Sequence, residues 1–180
     1  MRLGVMCSGN GTNFENIVRT CHDDEVVLMI HNKSKCGAAK RADKLGIPHC
    51  YISHKEEEQM VQLFEAWRVD LVILAGYMRV LKNPSAFPCP IINVHPSLLP
   101  KHKGLDVIQK AMDAGDDVTG CTVHYVNEEL DGGEIILQSE VPILPDDDVE
   151  SLTKLIQRRE YDILPEAIEH VKQRFKVASH

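Results

Sequence analysis

The chain has 180 residues, a mass of 20.2 kDa and a formal net charge of −7, and its length is typical of one domain with its own hydrophobic core. Hydrophobic residues make up 43% of it and charged residues 26%, values that exclude a disordered, collagenous or coiled-coil chain. No apolar run approaches the roughly 20 residues of a membrane helix. The negative charge argues against a general nucleic-acid-binding surface, which requires a basic face.

The beginning of the chain and its cysteines predict where in the cell the protein is located. An apolar run at 3–7 follows the first two residues directly and is too short for the apolar segment of a secretion signal. The six cysteines form no C-x-x-C pair, which argues against a zinc knuckle or a redox motif. We therefore expect a cytoplasmic protein whose cysteines are reduced and act as small apolar packing residues.

Strand and helix patterns alternate along the first half of the chain. In chain order they predict a strand at 3–7, a helix with Phe14, Ile17 and Val18 on one face, a strand at 26–30, a helix at 36–45, a strand at 49–52, a helix at 55–67 and a strand at 69–75. Gly46 and Pro48 mark the end of the second helix. Repeated strand–helix–strand units imply a parallel sheet with right-handed crossovers.

The pattern changes after Gly76, where a proline-rich loop begins. A further strand is predicted at 91–94 and a short helix at 107–112, and the strand-like segments 118–126 and 134–143 predict a long antiparallel hairpin. The last helix begins at the acidic residues 146–148, and we expect Pro165 to kink or break it. The predicted class is α/β: a three-layer Rossmann-like fold with a mostly parallel sheet and a C-terminal antiparallel hairpin, in a single domain spanning 1–180.

Residues 8–13, Ser-Gly-Asn-Gly-Thr-Asn, lie between the first predicted strand and the first helix. In α/β proteins this position binds phosphate, because backbone N–H groups and the helix dipole point outward there. Phe14 replaces the third glycine of the dinucleotide fingerprint, and the Lys–Ser/Thr pair of a Walker loop is missing. The segment fits a phosphate loop and a tight glycine turn capped by Thr12 or Asn13 equally well.

Asn93 and His95 lie two residues apart at the end of a predicted strand, so their side chains point to the same side. An amide and an imidazole directed at one point could stabilise an oxyanion, and the alternative is a structural histidine. Asp131 precedes two glycines in the hairpin loop, where it is either a turn residue or a carboxylate that orients a histidine and favours its charged form. The other histidines show no metal-ligand spacing and are predicted to have surface or packing roles: His22, His31, His49, His54, His102, His124, His170 and His180.

Several segments, taken in order, closely resemble the glycinamide ribonucleotide formyltransferase family, the folate-dependent enzymes of purine biosynthesis. They are S-G-N-G-T-N at 8–13, L-A-G-Y-M-R at 74–79, N-V-H-P-S-L-L-P at 93–100, G-C-T-V-H-Y at 120–125, L-D-G-G at 130–133 and I-L-Q at 136–138. The resemblance implies a formyltransferase fold. It also implies transfer of the formyl group of 10-formyltetrahydrofolate to the amine of glycinamide ribonucleotide, giving formylglycinamide ribonucleotide and tetrahydrofolate.

The resemblance further implies which residues form the site. The catalytic residues would be Asn93, His95 and Asp131, the phosphate-binding residues Gly11, Thr12 and Asn13, the folate-binding residues Met78, Arg79, Val80, Leu81, Val126, Asn127, Glu128, Glu129 and Leu130, and the further ribonucleotide contact Glu160. Asn93 and a charged His95 would stabilise the tetrahedral oxyanion, and Asp131 would keep His95 charged and help to remove the amine proton. No metal would be required. The expected partners are the ribonucleotide and the reduced folate, without nucleic acid or membrane, and the chain would act as a monomer or homodimer.

Other functions remain as alternatives. Methionyl-tRNA formyltransferase, sugar N-formyltransferases and formyltetrahydrofolate hydrolase usually carry an extra domain, for which 180 residues leave no room. A non-catalytic nucleotide-binding module would need the glycine loop but not Asn93, His95 and Asp131 together. An NAD-dependent dehydrogenase is disfavoured by the missing third glycine. The chain departs from the family at Tyr77, where Phe is common, and at residues 106–108, where many members carry a histidine.

Overall fold

A computed structural model of the chain describes residues 1–178. The strands are β1 (Arg2–Cys7), β2 (Glu25–His31), β3 (His49–Tyr51), β4 (Leu71–Leu74), β5 (Ile91–His95), β6 (Val118–Tyr125) and β7 (Ile135–Pro142). The α-helices are α1 (Thr12–Thr20), α2 (Gly37–Leu45), α3 (Glu57–Ala66), α4 (Val107–Asp113) and α5 (Val149–Ala178). A 3₁₀ turn covers Pro84–Ala86.

The strands of the described chain form a seven-stranded sheet in the order β3-β2-β1-β4-β5-β6-β7. The pairs β2–β3, β1–β2, β1–β4 and β4–β5 are parallel, and β6 and β7 form an antiparallel pair. The register sets Met6 opposite Leu74 and Leu74 opposite Asn93. The predicted α/β class is therefore confirmed, with a mostly parallel sheet that ends in an antiparallel hairpin and is flanked by helices.

Two compact units make up the described chain. Unit 1 comprises Met1–Asn93 and Val126–Glu128, and unit 2 comprises Val94–Tyr125 and the residues from Glu129 to the end of α5. The core of unit 1 is a cluster of buried apolar side chains from its strands and from α3, among them Met6, Ile30, Phe64 and Val72. Every residue of β4 is buried, as expected for a strand that is covered on both faces.

Local signals explain where two of the helices begin and end. The α2 helix ends at Gly46, whose φ of 69° lies in the left-handed region that glycine enters without steric cost. The start of α5 is capped reciprocally, because the Ser151 N–H donates to Asp148 Oδ1 at 2.8 Å and the Asp148 N–H donates to Ser151 Oγ at 3.0 Å. Both boundaries agree with the prediction from the sequence.

Of the kink or break expected at Pro165, the break is wrong, because α5 continues through it from Val149 to Ala178. A proline inside a helix removes one backbone donor and crowds the preceding turn, at a cost of about 3 kcal/mol. The helix packs on β6 and β7, and Ile163, Leu164 and Ile168 are buried on both sides of the proline. Burial of each large aliphatic side chain contributes roughly 1.5–3 kcal/mol, so packing outweighs the proline penalty. Among residues 1–178, no helix combines the length and apolar character needed to cross a membrane.

Candidate active site

The end of β5 carries the two central candidates, Asn93 and His95. Because side chains alternate along a strand, these two residues project to the same side of β5. His95 is 6% exposed and Asn93 is half-buried. The strand therefore holds an amide and a nearly buried imidazole in the relation that the sequence predicts.

Both ring nitrogens of His95 face an oxygen atom. Nε2 donates to the main-chain carbonyl oxygen of His102 at 2.9 Å, and because a carbonyl oxygen only accepts, Nε2 carries the hydrogen. Nδ1 lies 3.8 Å from Asp131 Oδ1, which is longer than a hydrogen bond. In the neutral ring the lone pair is therefore on Nδ1, and Nδ1 is the atom that gains or loses a proton beside Asp131.

Asp131 is held at this position by its own backbone and by a loop amide. Its φ of 49° is left-handed, and the Gly104 N–H donates to Asp131 Oδ2 at 2.8 Å. Its side chain is 8% exposed. The structure thus brings Asp131 next to His95 within unit 2. Since the two facing atoms are 3.8 Å apart, one reacting atom about 2.8 Å from each of them could bond to both.

A second histidine lies at the same carboxylate. His124 is 2% exposed, and its Nε2 lies 3.8 Å from Asp131 Oδ1, while its Nδ1 donates to the carbonyl oxygen of Tyr125 at 2.9 Å. Burial lowers the pKa of His124, against the opposing effects of the Tyr125 carbonyl and Asp131, so the ring is neutral near pH 7 with Nε2 as an acceptor. The sequence interpretation gave His124 a surface or packing role; its place in the G-C-T-V-H-Y segment was the available signal.

Polar side chains of β6 and β7, the buried Thr122 and the exposed Gln138, fix the chain that follows His95. Thr122 Oγ1 donates to the Ser97 carbonyl at 2.7 Å and accepts the Leu99 N–H at 3.1 Å. Gln138 Nε2 donates to Thr122 Oγ1 at 3.0 Å and to the Leu99 carbonyl at 2.8 Å. The hairpin therefore determines the path of the 96–100 segment.

The glycine loop of unit 1 leads into α1. Gly11 is the N-cap residue with a φ of 74°, so neither Thr12 nor Asn13 occupies the N-cap position that the alternative required. Asn13 is 9% exposed and Thr12 is half-buried. The first N–H groups of a helix have no partner within the helix and attract anions, so this geometry is compatible with the phosphate loop.

We expect Gly11→Ala to lower the free energy of unfolding more than Gly46→Ala. Both glycines have a positive φ, 74° and 69°, a conformation that costs an alanine about 1–2 kcal/mol. At Gly11 an added Cβ would also lie 2.7 Å from the Cα of Ala38, whereas at Gly46 no atom lies within 4 Å. Urea unfolding of the two variants measures the difference, and equal losses would contradict the steric role of Gly11.

The predicted folate residues divide into exposed and buried ones. Met78 and Val80 are 57% and 68% exposed, and Arg79 is exposed as well. Leu81 is 7% exposed and belongs to the core cluster of unit 1. The Met78 N–H donates to Ser8 Oγ at 2.8 Å. The side chains of residues 78–80 therefore lie on the surface, and the buried side chain of Leu81 holds this segment against the core of unit 1.

The remaining predicted residues lie in the hairpin loop and in α5. Val126 packs against the core of unit 1, and Asn127, Glu128, Glu129 and Leu130 are exposed. Glu160 is 7% exposed. Burial raises the pKa of Cys121 to about 12, and the charge of Glu160 contributes to that rise, so Glu160 faces β6 within unit 2.

The described residues contain no group of three or more His, Cys, Asp or Glu side chains that could hold a metal ion, and His180 lies outside them.

Comparison with known proteins identifies the family. The family model described as formyl transferase matches residues 1–168. The chain belongs to the formyl transferase family. The match extends over residues of both units, including the β5 end with Asn93 and His95, the Asp131 loop and most of α5.

Individual relatives show which members of the family this chain is similar to. The phosphoribosylglycinamide formyltransferase of Haemophilus influenzae is 39% identical over 177 residues, which cover 91% of this chain and 84% of that protein. The trifunctional purine biosynthetic protein adenosine-3 of Drosophila melanogaster is 42% identical over 182 residues, which are 93% of this chain but only 14% of the relative's length. Within the family, the chain is thus similar to phosphoribosylglycinamide formyltransferases.

Solved structures agree with this assignment. The crystal structure of phosphoribosylglycinamide formyltransferase from Anaplasma phagocytophilum matches with a TM-score of 0.91 and 36% identity, covering 96% of this chain and 87% of that one. Glycinamide ribonucleotide transformylase 1 from Symbiobacterium toebii matches with a TM-score of 0.89 and 38% identity, covering 93% and 85%. The Rossmann-like fold is therefore that of the formyltransferases.

Proposed function

We propose that the chain transfers the formyl group of 10-formyltetrahydrofolate to the amine of glycinamide ribonucleotide, giving formylglycinamide ribonucleotide and tetrahydrofolate. The observation that carries the proposal is the pairing of His95 Nδ1 with Asp131 Oδ1 at 3.8 Å, in a chain of this family. Residues 1–180 would form one formyltransferase domain. It would act in the cytoplasm as a monomer or homodimer, on small molecules and without nucleic acid or membrane.

The proposed reaction begins when the amine nitrogen attacks the formyl carbon, which gives a tetrahedral oxyanion. Charged His95 donates from Nδ1, because its Nε2 hydrogen is held by the His102 carbonyl, and the Asn93 amide is the second donor. Preorganised donors of this kind stabilise the oxyanion without reorganisation. The N-formyl donor is already electrophilic, so orientation and charge stabilisation supply the catalysis.

A proton must then move from the attacking amine to the departing folate nitrogen. Asp131, with neutral His124 beside it, accepts the amine proton, and the C–N bond to the folate breaks as that nitrogen is protonated by His95. The new bond joins the formyl carbon to the glycinamide nitrogen. The proton count balances, because the proton that the amine loses replaces the one that His95 gives up.

Substrate binding follows from the same proposal. The phosphate of the ribonucleotide lies at Gly11, Thr12 and Asn13, where the α1 N-terminus favours an anion, and Glu160 is a further ribonucleotide contact. The pteridine of the folate binds along two segments, 78–81 and 126–130. Their main chain supplies the polar contacts and their apolar side chains the walls.

A direct assay tests the function. The protein is mixed with glycinamide ribonucleotide and 10-formyl-5,8-dideazafolate, and absorbance is followed for the deformylated folate, with an amino sugar nucleotide as the competing acceptor. We expect product only with the ribonucleotide, and none from His95→Ala. Transfer to the amino sugar nucleotide, or donor hydrolysis without any acceptor, would contradict the proposal.

We expect Val80→Asp to weaken a folate analogue about tenfold, while ribonucleotide binding stays unchanged. Val80 is 68% exposed, so the substitution leaves the core intact, and loss of an apolar contact worth about 1.5 kcal/mol corresponds to about tenfold in Kd. Leu81→Asp would be a poor test, because it would bury an unpaired carboxylate in the core of unit 1.

Val177→Asp is the matched control for this measurement, since that valine of α5 is 77% exposed and receives the same charge. Calorimetric titration measures the affinity of the two variants for each ligand. Unchanged folate affinity in Val80→Asp would place the pteridine away from the 78–80 segment.

A further inference from the structure

The carbonyl oxygen of His102 is the acceptor for two donors. It accepts His95 Nε2–H at 2.9 Å, and at 3.0 Å it shares the single hydrogen of the Ser97 hydroxyl with the Lys101 carbonyl, which lies 2.8 Å from the same oxygen. This one main-chain atom therefore sets which nitrogen of His95 is protonated and how the ring is turned. Any contact that fixes the main chain of residue 102 therefore also fixes which ring nitrogen of His95 faces Asp131.

Residue 102 occupies an unfavourable backbone conformation. The φ of His102 is 54°, in the left-handed region that costs a residue other than glycine about 1–2 kcal/mol. Such a conformation persists where the surroundings hold it. The hydrogen bonds on the His102 carbonyl contribute to that restraint, and so does the side chain.

The side chain of His102 is tied to an aspartate. His102 Nε2 donates to Asp116 Oδ2 at 2.7 Å, and Lys101 Nζ lies 3.3 Å from Asp116 Oδ1. The two side chains of the histidine–aspartate pair are 19% and 12% exposed. The hydrogen bond from His102 is the main cause that lowers the pKa of Asp116; burial opposes it, and Lys101 adds to the lowering. Asp116 is therefore ionised at neutral pH.

The backbone of Asp116 is fixed to the end of α4 by a hydrogen bond. Its N–H donates to the Ala111 carbonyl at 3.1 Å, and the Gly115 N–H donates to the Met112 carbonyl at 3.0 Å, so the turn after α4 is closed on the helix. Ala111 is fully buried, and α4 packs on α5. The aspartate is thus attached to the helical part of unit 2 rather than to a free loop.

We propose that the His102–Asp116 pair is a positioning element for His95. The pair holds the main chain of residue 102 so that its carbonyl keeps the hydrogen on His95 Nε2 and directs Nδ1 to Asp131. Neither His102 nor Asp116 is assigned a contact with substrate; both act through the ring of His95. The catalytic part of this inference rests on the proposed function, and the structural part, the protonation site of His95, does not.

Asp116→Ala tests the proposal. A small displacement of a catalytic group lowers kcat by roughly 10–100-fold, and we expect a fall in that range, with both KM values within about twofold of the wild type because no substrate contact is removed. Asp116→Asn keeps an oxygen that accepts the His102 Nε2–H, so we expect it to recover most of the activity. Asp117→Ala removes the same charge from the exposed neighbouring residue and should leave kcat unchanged.

Ring nitrogen NMR of the substrate-free protein gives a second readout. In the wild type we expect neutral His95 to carry its hydrogen on Nε2, and in Asp116→Ala we expect a mixture of the two tautomers. If Asp116→Ala does not fold, as judged by circular dichroism, His102→Phe replaces it, because this variant keeps a ring but loses the donor to Asp116.

A wild-type tautomer pattern and a kcat within twofold of the wild type, in a folded variant, would overturn the proposal, and so would an equal loss in Asp117→Ala. A wild-type protein that transfers no formyl group would refute the proposed function alone. The NMR result would still decide whether the pair positions His95.

Discussion

Asp131→Asn should lower kcat by roughly 10²–10⁴-fold, the contribution of a positioned acid–base group. The amide keeps the shape of the carboxylate and can still accept the Gly104 N–H, which now bonds to Asp131 Oδ2 at 2.8 Å. It removes the negative charge 3.8 Å from His95 Nδ1 and with it the proposed acceptor of the amine proton. Both KM values should change much less than kcat.

A kcat–pH profile for both proteins measures this effect. Since Asp131 is the proposed acceptor of the amine proton, kcat of Asp131→Asn should stay below that of the wild type across the profile. Glu140→Gln, at an exposed residue of β7, removes one charge from the same unit and should leave the profile unchanged. A near-normal kcat in Asp131→Asn would return Asp131 to the role of a turn residue.

Thr12→Asp should raise the KM for the ribonucleotide by roughly 10–100-fold. The variant places a carboxylate in the first turn of α1, where the proposed phosphate binds. Two like charges 4 Å apart repel by about 4 kcal/mol at an effective dielectric constant of 20, and salt reduces this value. Because each 1.4 kcal/mol corresponds to about tenfold in affinity, the remaining repulsion accounts for the expected range.

Thr12→Asn is the matched control, since it has the shape of the aspartate without the charge. Steady-state kinetics with each substrate varied in turn separates the two effects. We expect the asparagine variant to stay within about threefold of the wild type and the folate KM to stay normal in both. An equal KM increase in the two variants would indicate a steric effect, and no increase in either would place the phosphate elsewhere.

Most of the fold could be predicted from the sequence, because its elements are encoded by local patterns. The nearly all-apolar run 69–75, which contains β4, predicts a strand covered on both faces, and Gly46 marks the end of α2. Pro165 misled the prediction, because the energy that keeps α5 continuous comes from packing of Ile163, Leu164 and Ile168. Such packing depends on residues distant in the sequence and leaves no local signal.

The candidate site likewise contains features that a local pattern predicts and features that depend on tertiary contacts. Asn93 and His95 follow from the alternation of a strand, so their common direction was predictable from two positions. The proximity of His124 to Asp131 and the support of His95 by the His102 carbonyl depend on loops that are closed by tertiary hydrogen bonds. Leu81 was included among the folate residues through the family resemblance, and its burial, in contrast to the exposure of Val80, depends on tertiary packing.

The backbone of Asp131 limits which of the twenty amino acids can occupy its position. Its φ of 49° is one that asparagine, aspartate and glycine tolerate better than the other residues. Glutamate would supply a carboxylate but resist that conformation, glycine would accept it without a side chain, and asparagine would accept it without a charge. Aspartate is the residue that satisfies both demands, so random mutagenesis selected for activity should return the wild-type residue at this codon.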